Sequence, residues 1–208
     1  MPEMATKTRL YRFDQMATQV NDRVDEPAKS GVERYVGLEH LDADSLRIRR
    51  WGEITDVEST KLRFQPGDII FGKRRVYQRK LAVADFEGIC SAHAMVLRAK
   101  PEVVLPEFLP FFMQSDNFME RALGISVGSL SPTINWSDLA KQEFALPPIE
   151  KQGRIAEALV ATQATLDKLR LLVESAALTA RSMLEVHLRR LGRSTPLTHV
   201  GDLLVDGP

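Results

Sequence analysis

The feature that most limits what this chain can fold into lies in its last third. Ile155, Leu159, Thr162, Leu166, Leu169, Val173, Ala176, Ala180 and Met183 follow one another at alternating spacings of four and three residues. That is the 3.5-residue repeat of a coiled-coil seam, an apolar stripe that requires a second helix against it. No Gly or Pro interrupts the pattern between Gly153 and Gly192. A helix over 150–191 would run roughly 60 Å at about 1.5 Å per residue. The residues before it hold no comparable repeat and are too few to bury such a stripe. The pattern therefore predicts a partner helix from another chain or from residues beyond Pro208. Ala176 and Ala180 favour close approach of the two backbones, and Thr162 weakens the seam. Arg189 and Arg190 followed by Gly192 predict a helix end capped by glycine, with cations at the negative end of the dipole.

Upstream, residues 1–149 read as a mixed α and β domain, which makes the fold class α+β: a small mixed or antiparallel sheet, flanking helices and then the long helix. Leu46 to Trp51 alternates apolar and basic residues, as a half-buried strand does. Pro66-Gly67-Asp68 is a turn signal before the buried-strand run Ile69-Ile70-Phe71-Gly72, and Leu81 to Ala84 and Ala94 to Leu97 predict two more strands. After Pro106 the period changes. Phe108, Phe111, Phe112, Phe118, Met119 and Leu123 fall at mostly helical intervals, which predicts a helical stretch over 107–123 with its aromatics in the core. Gly124 to Pro132 reads as a loop. Pro147-Pro148 marks a boundary, because neither proline fits inside a helix or a central strand. The domains expected are 1–149, the helix 150–193, and a tail 194–208.

Charge and cysteine content exclude several classes of function. The 28 Lys and Arg balance 28 Asp and Glu, so neither a uniformly basic coat protein nor an acidic disordered chain fits. A single cysteine, Cys90, rules out an internal disulfide framework and a cysteine-based zinc site. It reads as a small buried hydrophobe, and a reducing cytoplasm suits it. No apolar run approaches the length of a bilayer span, so no membrane partner is expected.

Within the neutral total, Phe71 to Lys80 carries five cations, Lys73, Arg74, Arg75, Arg79 and Lys80, with Tyr77 and Gln78 among them and no acid between Asp68 and Asp85. Such cations bind phosphates, and Arg and Gln pair in bidentate fashion with guanine and adenine edges. A solvated turn paired with nearby carboxylates accounts for the same run equally well. A second candidate is Ser126 to Asn135, where Ser129, Ser131, Thr133 and Asn135 offer small polar groups that approach a DNA backbone or base edge closely. A plain loop is the simpler reading of it.

Signatures of catalysis and cofactors are missing. His40, His93, His187 and His199 stand far apart with no metal-ligand spacing, and there is no GxxxxGK[ST], GxGxxG or GxSxG. Pro147-Pro148 is similar to the catalytic Pro-Pro of amino-methyltransferases, but Leu146 stands where that motif needs an Asn or Asp to hold the amine. Asp68, Asp85 and Glu87 lack the acidic-x-Lys arrangement of a nuclease. The expectation is a non-catalytic protein without metal or cofactor.

The order of motifs is specific as a set. Gly67 to Phe71, the basic run to Lys80, Gly88 to Ser91, Leu105 to Leu109, Ser126 to Ile134, and Leu146-Pro147-Pro148-Ile149-Glu150-Lys151-Gln152 before a long helix resemble the specificity subunit of type I restriction-modification systems. The resemblance covers nearly the whole chain. It implies a target recognition domain that reads one half of a bipartite double-stranded DNA site, and a spacer helix that pairs with a second. It also implies docking of a methyltransferase subunit and a restriction subunit, and a role in phage defence. The departure is length: such subunits carry two recognition domains and two spacer helices. Pro196 to Pro208 resembles the opening strand of a second domain, so the chain is either a fragment or a natural half-subunit. A natural half-subunit would form a homodimer through its helix and read a symmetric site. The alternative is an adaptor that dimerises or binds the methyltransferase subunit without reading DNA.

Overall fold

The apolar runs at Ile69–Gly72 and Leu81–Val83 are neighbouring antiparallel strands, and Ala94–Ala99 pairs with the first of them on its other side. The computed structural model describes residues 8–194. Ala17–Val20 completes this four-stranded sheet, in the order 17–20, 94–99, 69–72, 81–83. Both faces of the sheet are buried. Ile69, Phe71, Leu81, Met95 and Leu97 face a core shared with the helices, while Ile70, Ala82, Ala94 and Val96 face a second core. A strand covered on both sides has no polar face, which is why these runs are continuously apolar rather than alternating.

The second core is closed by a five-stranded sheet in the order Arg23–Val24, Lys61–Phe64, Gly88–Cys90, Arg34–Val36, Gly52–Glu53. It is antiparallel except where Arg34–Val36 runs parallel to Gly88–Cys90. Cys90 is fully buried there, as expected. Leu46 to Trp51 differs from the expectation. Leu46 and Ile48 are buried and Arg47 and Arg49 exposed, so the alternation holds. The segment nevertheless makes only an isolated bridge, Arg47 to Val83, and is not a sheet strand.

The helical stretch over 107–123 is two helices, Leu109–Gln114 and Asp116–Gly124. Ser115 breaks it: its backbone is extended, and its hydroxyl accepts from the Phe118 N–H as the cap of the second helix. The aromatics are core, with Phe118 at the centre, 5.4 Å from Phe13 and 5.5 Å from Phe144 between ring centroids. Leu123 departs from the pattern and is 39% exposed. A two-stranded ribbon, Arg9–Arg12 against Glu143–Leu146, ties the start of the described chain to the segment before the long helix.

That helix runs Ile149–Ser194. The chain divides into a compact unit ending at Leu159 and another beginning at Val160. In the first unit Ala156 is buried in the helical core and Ile155 packs against it. Gln152 is buried as well. Its amide donates to the carbonyls of Val103 and Pro147 at 3.1 and 2.9 Å, and its oxygen accepts from the Leu105 N–H at 2.9 Å. In the second unit Leu166, Leu169, Val173 and Met183 of the seam are roughly half to two-thirds exposed, and Ala176 and Ala180 are exposed too. Leu171, Leu172, Leu178, Leu184 and Leu188 are also exposed, so the apolar surface is wider than one seam. Gly192 does not cap the helix, since the helical backbone continues to Ser194. Residues 195–208, read from the sequence as the opening of a further domain, lie outside the described residues.

Candidate nucleic-acid interface

The basic run forms a short excursion between two strands. The Gly72 N–H donates to the Lys80 carbonyl at 2.9 Å, so the chain leaves the sheet at Lys73 and returns at Lys80. At the apex Val76–Gln78 makes one 3-10 turn, pegged by buried Val76. The residues flanking it, Arg75 (φ 57°) and Arg79 (φ 51°), both adopt left-handed backbone. In a residue with a Cβ that conformation costs on the order of 1 kcal/mol, and the surrounding contacts hold it.

Arg79 supplies much of that hold. Its guanidinium bonds Asp44 at 2.7 Å, Asp116 at 3.0 Å and the Gln114 carbonyl. These contacts favour its charged form. Arg79 therefore spends its donors inside the protein, while Lys80 donates to the Leu38 carbonyl at 2.7 Å. Both were expected at phosphates, and in this structure both bind main chain or carboxylates of the same chain.

The second candidate segment packs directly on the first. The Ile134 N–H donates to the Lys73 carbonyl at 2.9 Å, the Arg75 N–H to the Pro132 carbonyl at 2.8 Å, and Arg74 bridges Thr133. Arg75 Nε donates to the Ser131 hydroxyl at 3.2 Å. Val127 and Thr133 exchange backbone hydrogen bonds at 3.0 and 2.9 Å around a tip that turns at Gly128 (φ 111°). Ser129 and Asn135 are exposed on this segment, and Leu130 at its tip is 91% exposed. Tyr77 stands exposed at the apex of the basic excursion.

Arg74, Arg75, Gln78 and Lys80 line one open cleft of about 360 Å³, together with Leu38, Glu39, Ser91 and His93. Arg74 Nη1 lies 3.3 Å from His93 Nε2. Burial, then Arg74, Lys73 and Lys61, hold the His93 imidazole below its usual pKa, so it is neutral at pH 7. A neutral ring then accepts from Arg74 at Nε2 and keeps its proton on Nδ1. The cleft thus combines two arginines, a lysine, an amide, a hydroxyl, an imidazole and a carboxylate. Cations alone suit a phosphate, whereas this mixture of donors and acceptors suits base edges beside a phosphate backbone.

Sequence reasoning missed Glu39, Ser91 and His93. Ser91 figured only as the end of the Gly88 to Ser91 motif, His93 only as an isolated histidine, and Glu39 sits in a polar turn, so none of the three carried a site signal of its own. The acids considered as a nuclease cluster are engaged elsewhere. Asp68 is buried and bonded by Arg98 at 2.7 and 2.9 Å, and Glu87 pairs with Arg63 at 2.7 Å. Among the described residues no group of three or more His, Cys, Asp or Glu could hold a metal, and no helix is long and apolar enough to cross a membrane.

Residues 46–173, from ahead of the basic excursion into the long helix, match the family described as type I restriction modification DNA specificity domain. The chain belongs to this family. Among its specificity-domain relatives, the type I restriction enzyme EcoDI specificity subunit of Escherichia coli is 27% identical over 173 residues, 81% of this chain and 38% of that protein. Two solved structures share the fold. One is the HsdS subunit from Thermoanaerobacter tengcongensis (TM-score 0.64), the other a chain from a type I R-M system structure concerned with complex assembly and conformational transition (TM-score 0.65). Each is 22% identical, over 95% of this chain and 53% of theirs. The chain thus spans about two-fifths of the curated relative and about half of each of the two solved chains.

Proposed function

We propose that this chain reads one half of a bipartite double-stranded DNA site and directs a methyltransferase subunit and a restriction subunit to it, with no catalysis of its own. The observation that carries this reading is the cleft lined by Arg74, Arg75 and Gln78, with the polar segment packed against the basic excursion beside it. Two stretches more than fifty residues apart place Arg74 and Arg75 beside Ser131 and Thr133. Lys73, Arg74 and Arg75 serve the phosphates, and Gln78 reaches bases. Tyr77, Ser129, Ser131, Thr133 and Asn135 give the adjoining contacts. Arg79 and Lys80 shape the site rather than touch DNA.

The exposed apolar residues of the long helix support the second half of the proposal, a helical partner. That partner is the matching helix of a second recognition unit or of another copy of this chain, and the same frame receives the methyltransferase subunit. Family membership and helix exposure favour this assembly.

Salt dependence of duplex binding tests the reading. Arg74→Glu with Arg75→Glu weakens binding, and the slope of log K against log salt becomes shallower by about one for each lost phosphate contact. An unchanged slope removes the cleft from the interface. Assembly with the methyltransferase subunit that is indifferent to DNA sequence contradicts the proposal as a whole.

A further inference from the structure

One member of the cleft does not fit a surface built only for phosphates. Glu39 is exposed on the turn Leu38–His40 and lines the cleft with Arg74, Arg75, Gln78 and His93. An ionised carboxylate is acceptor-only and repels a phosphate, so it weakens a site whose sole task is charge neutralisation. In a major groove it has a use, because cytosine N4 and adenine N6 present exocyclic amino donors to it.

Hydrogen bonds fix the backbone of the turn that carries this side chain. The His40 N–H donates to the Gly37 carbonyl at 3.1 Å, the Gly37 N–H donates back to His40 Nδ1 at 3.0 Å, and the Leu38 carbonyl receives the Lys80 ammonium at 2.7 Å. The Glu39 side chain folds over Gly37. Its carboxylate oxygens lie 1.9 and 2.4 Å from where a Cβ on Gly37 would stand, so a side chain at position 37 would push the carboxylate aside. Glu39 is also one of the charges that, after burial, hold the Tyr35 hydroxyl above its ordinary pKa.

Resting on the DNA reading above, we propose that Glu39 determines specificity at one position of the recognised half-site, accepting a hydrogen bond from the exocyclic amino group of a base in the major groove. Arg74 and Arg75 bring the backbone to the cleft, and Glu39 rejects bases that offer a carbonyl where the amino group belongs. Gly37 acts with it as a positioning residue.

The test is selection of bound duplexes from a randomised pool by the full chain, by Glu39→Met and by Gly37→Ala. The wild type selects a consensus with cytosine or adenine at one position. Glu39→Met, which keeps the side chain's length but removes the carboxylate acceptor, retains the rest of the consensus but loses roughly 5- to 150-fold of discrimination at that position, the range for one good base contact. Gly37→Ala, which keeps the carboxylate but displaces it, loses preference at the same position. A Glu39→Met consensus identical to the wild type overturns the assignment of Glu39 and leaves the DNA reading standing. Uniformly tighter binding with unchanged base preference also overturns it, because the carboxylate then merely repels phosphate. A wild type that selects no consensus overturns the DNA reading and this assignment with it.

Discussion

The side-chain oxygen of Gln152, in the first turns of the long helix, accepts the Leu105 N–H at 2.9 Å across 47 residues of chain. The same amide closes two further bonds, to Val103 and Pro147, so a buried polar group is fully satisfied and fixes the helix start to the recognition domain. Gln152→Leu leaves one N–H and two carbonyls without that partner. The expected loss is about 3 kcal/mol or more, from roughly 1–3 kcal/mol for each of the three buried groups left without a partner. Urea unfolding followed by circular dichroism measures it. A loss well under 1 kcal/mol would show that the amide is not what anchors the helix.

Arg79 sits in a clamp of Asp44, Asp116 and the Gln114 carbonyl and carries left-handed backbone. Arg79→Gln is expected to lower the unfolding midpoint and to weaken DNA binding without changing the salt slope, because no phosphate contact is lost. Arg75→Gln is expected to do the reverse, leaving the midpoint near wild type while making the slope shallower. The two variants measured side by side separate holding the excursion from touching the nucleic acid.

How much of this was legible follows from how local each cause is. Ile69–Gly72 and the strand beginning at Ala94 were readable because a sheet buried on both faces writes continuous apolar runs, and Pro66-Gly67 punctuates the first of them. The long helix was readable because the seam repeats without a breaker. The break at Ser115 was missed although Ser115-Asp116 is a local capping signal, since the phenylalanine spacing on either side kept nearly the same period. The basic run and the Ser126–Asn135 segment were each visible, but not their contact, which the fold makes across 56 residues from Arg75 to Ser131. Arg79 looked like its neighbours because its acids, Asp44 and Asp116, lie 35 and 37 residues away.

His93 gives a pH dependence with a definite sign. Burial and the cations Arg74, Lys73 and Lys61 depress its folded pKa below 6.5, the value it regains on unfolding. Below about pH 6.5 the unfolded chain therefore binds more protons than the folded one, and stability falls as pH falls through that window. His93→Gln is expected to flatten this part of the stability profile between pH 7 and pH 5.5. The effect is modest because the ring is exposed. A profile unchanged by the substitution contradicts it.

Cys90 is buried in the five-stranded sheet, and burial, followed by the Asp68 charge, pushes its thiol up to about 12. The thiolate that reacts with alkylating reagents is then scarce below pH 9. Native protein at pH 8 is expected to resist iodoacetamide over hours and to react stoichiometrically in denaturant, as mass spectrometry reports. Rapid native labelling would contradict the burial of that strand.

Because the one cysteine, Cys90, is buried, an engineered surface thiol can be labelled selectively. Tyr77→Cys and Ser131→Cys, each carrying a photoactivatable cross-linker, flank the cleft. Lys29→Cys lies on a separate exposed turn, Pro27–Lys29. On irradiation with the duplex the chain selects, the account predicts strong cross-links from positions 77 and 131 and little from position 29. Equal cross-linking from all three, or the strongest from position 29, contradicts the placement of DNA in this cleft.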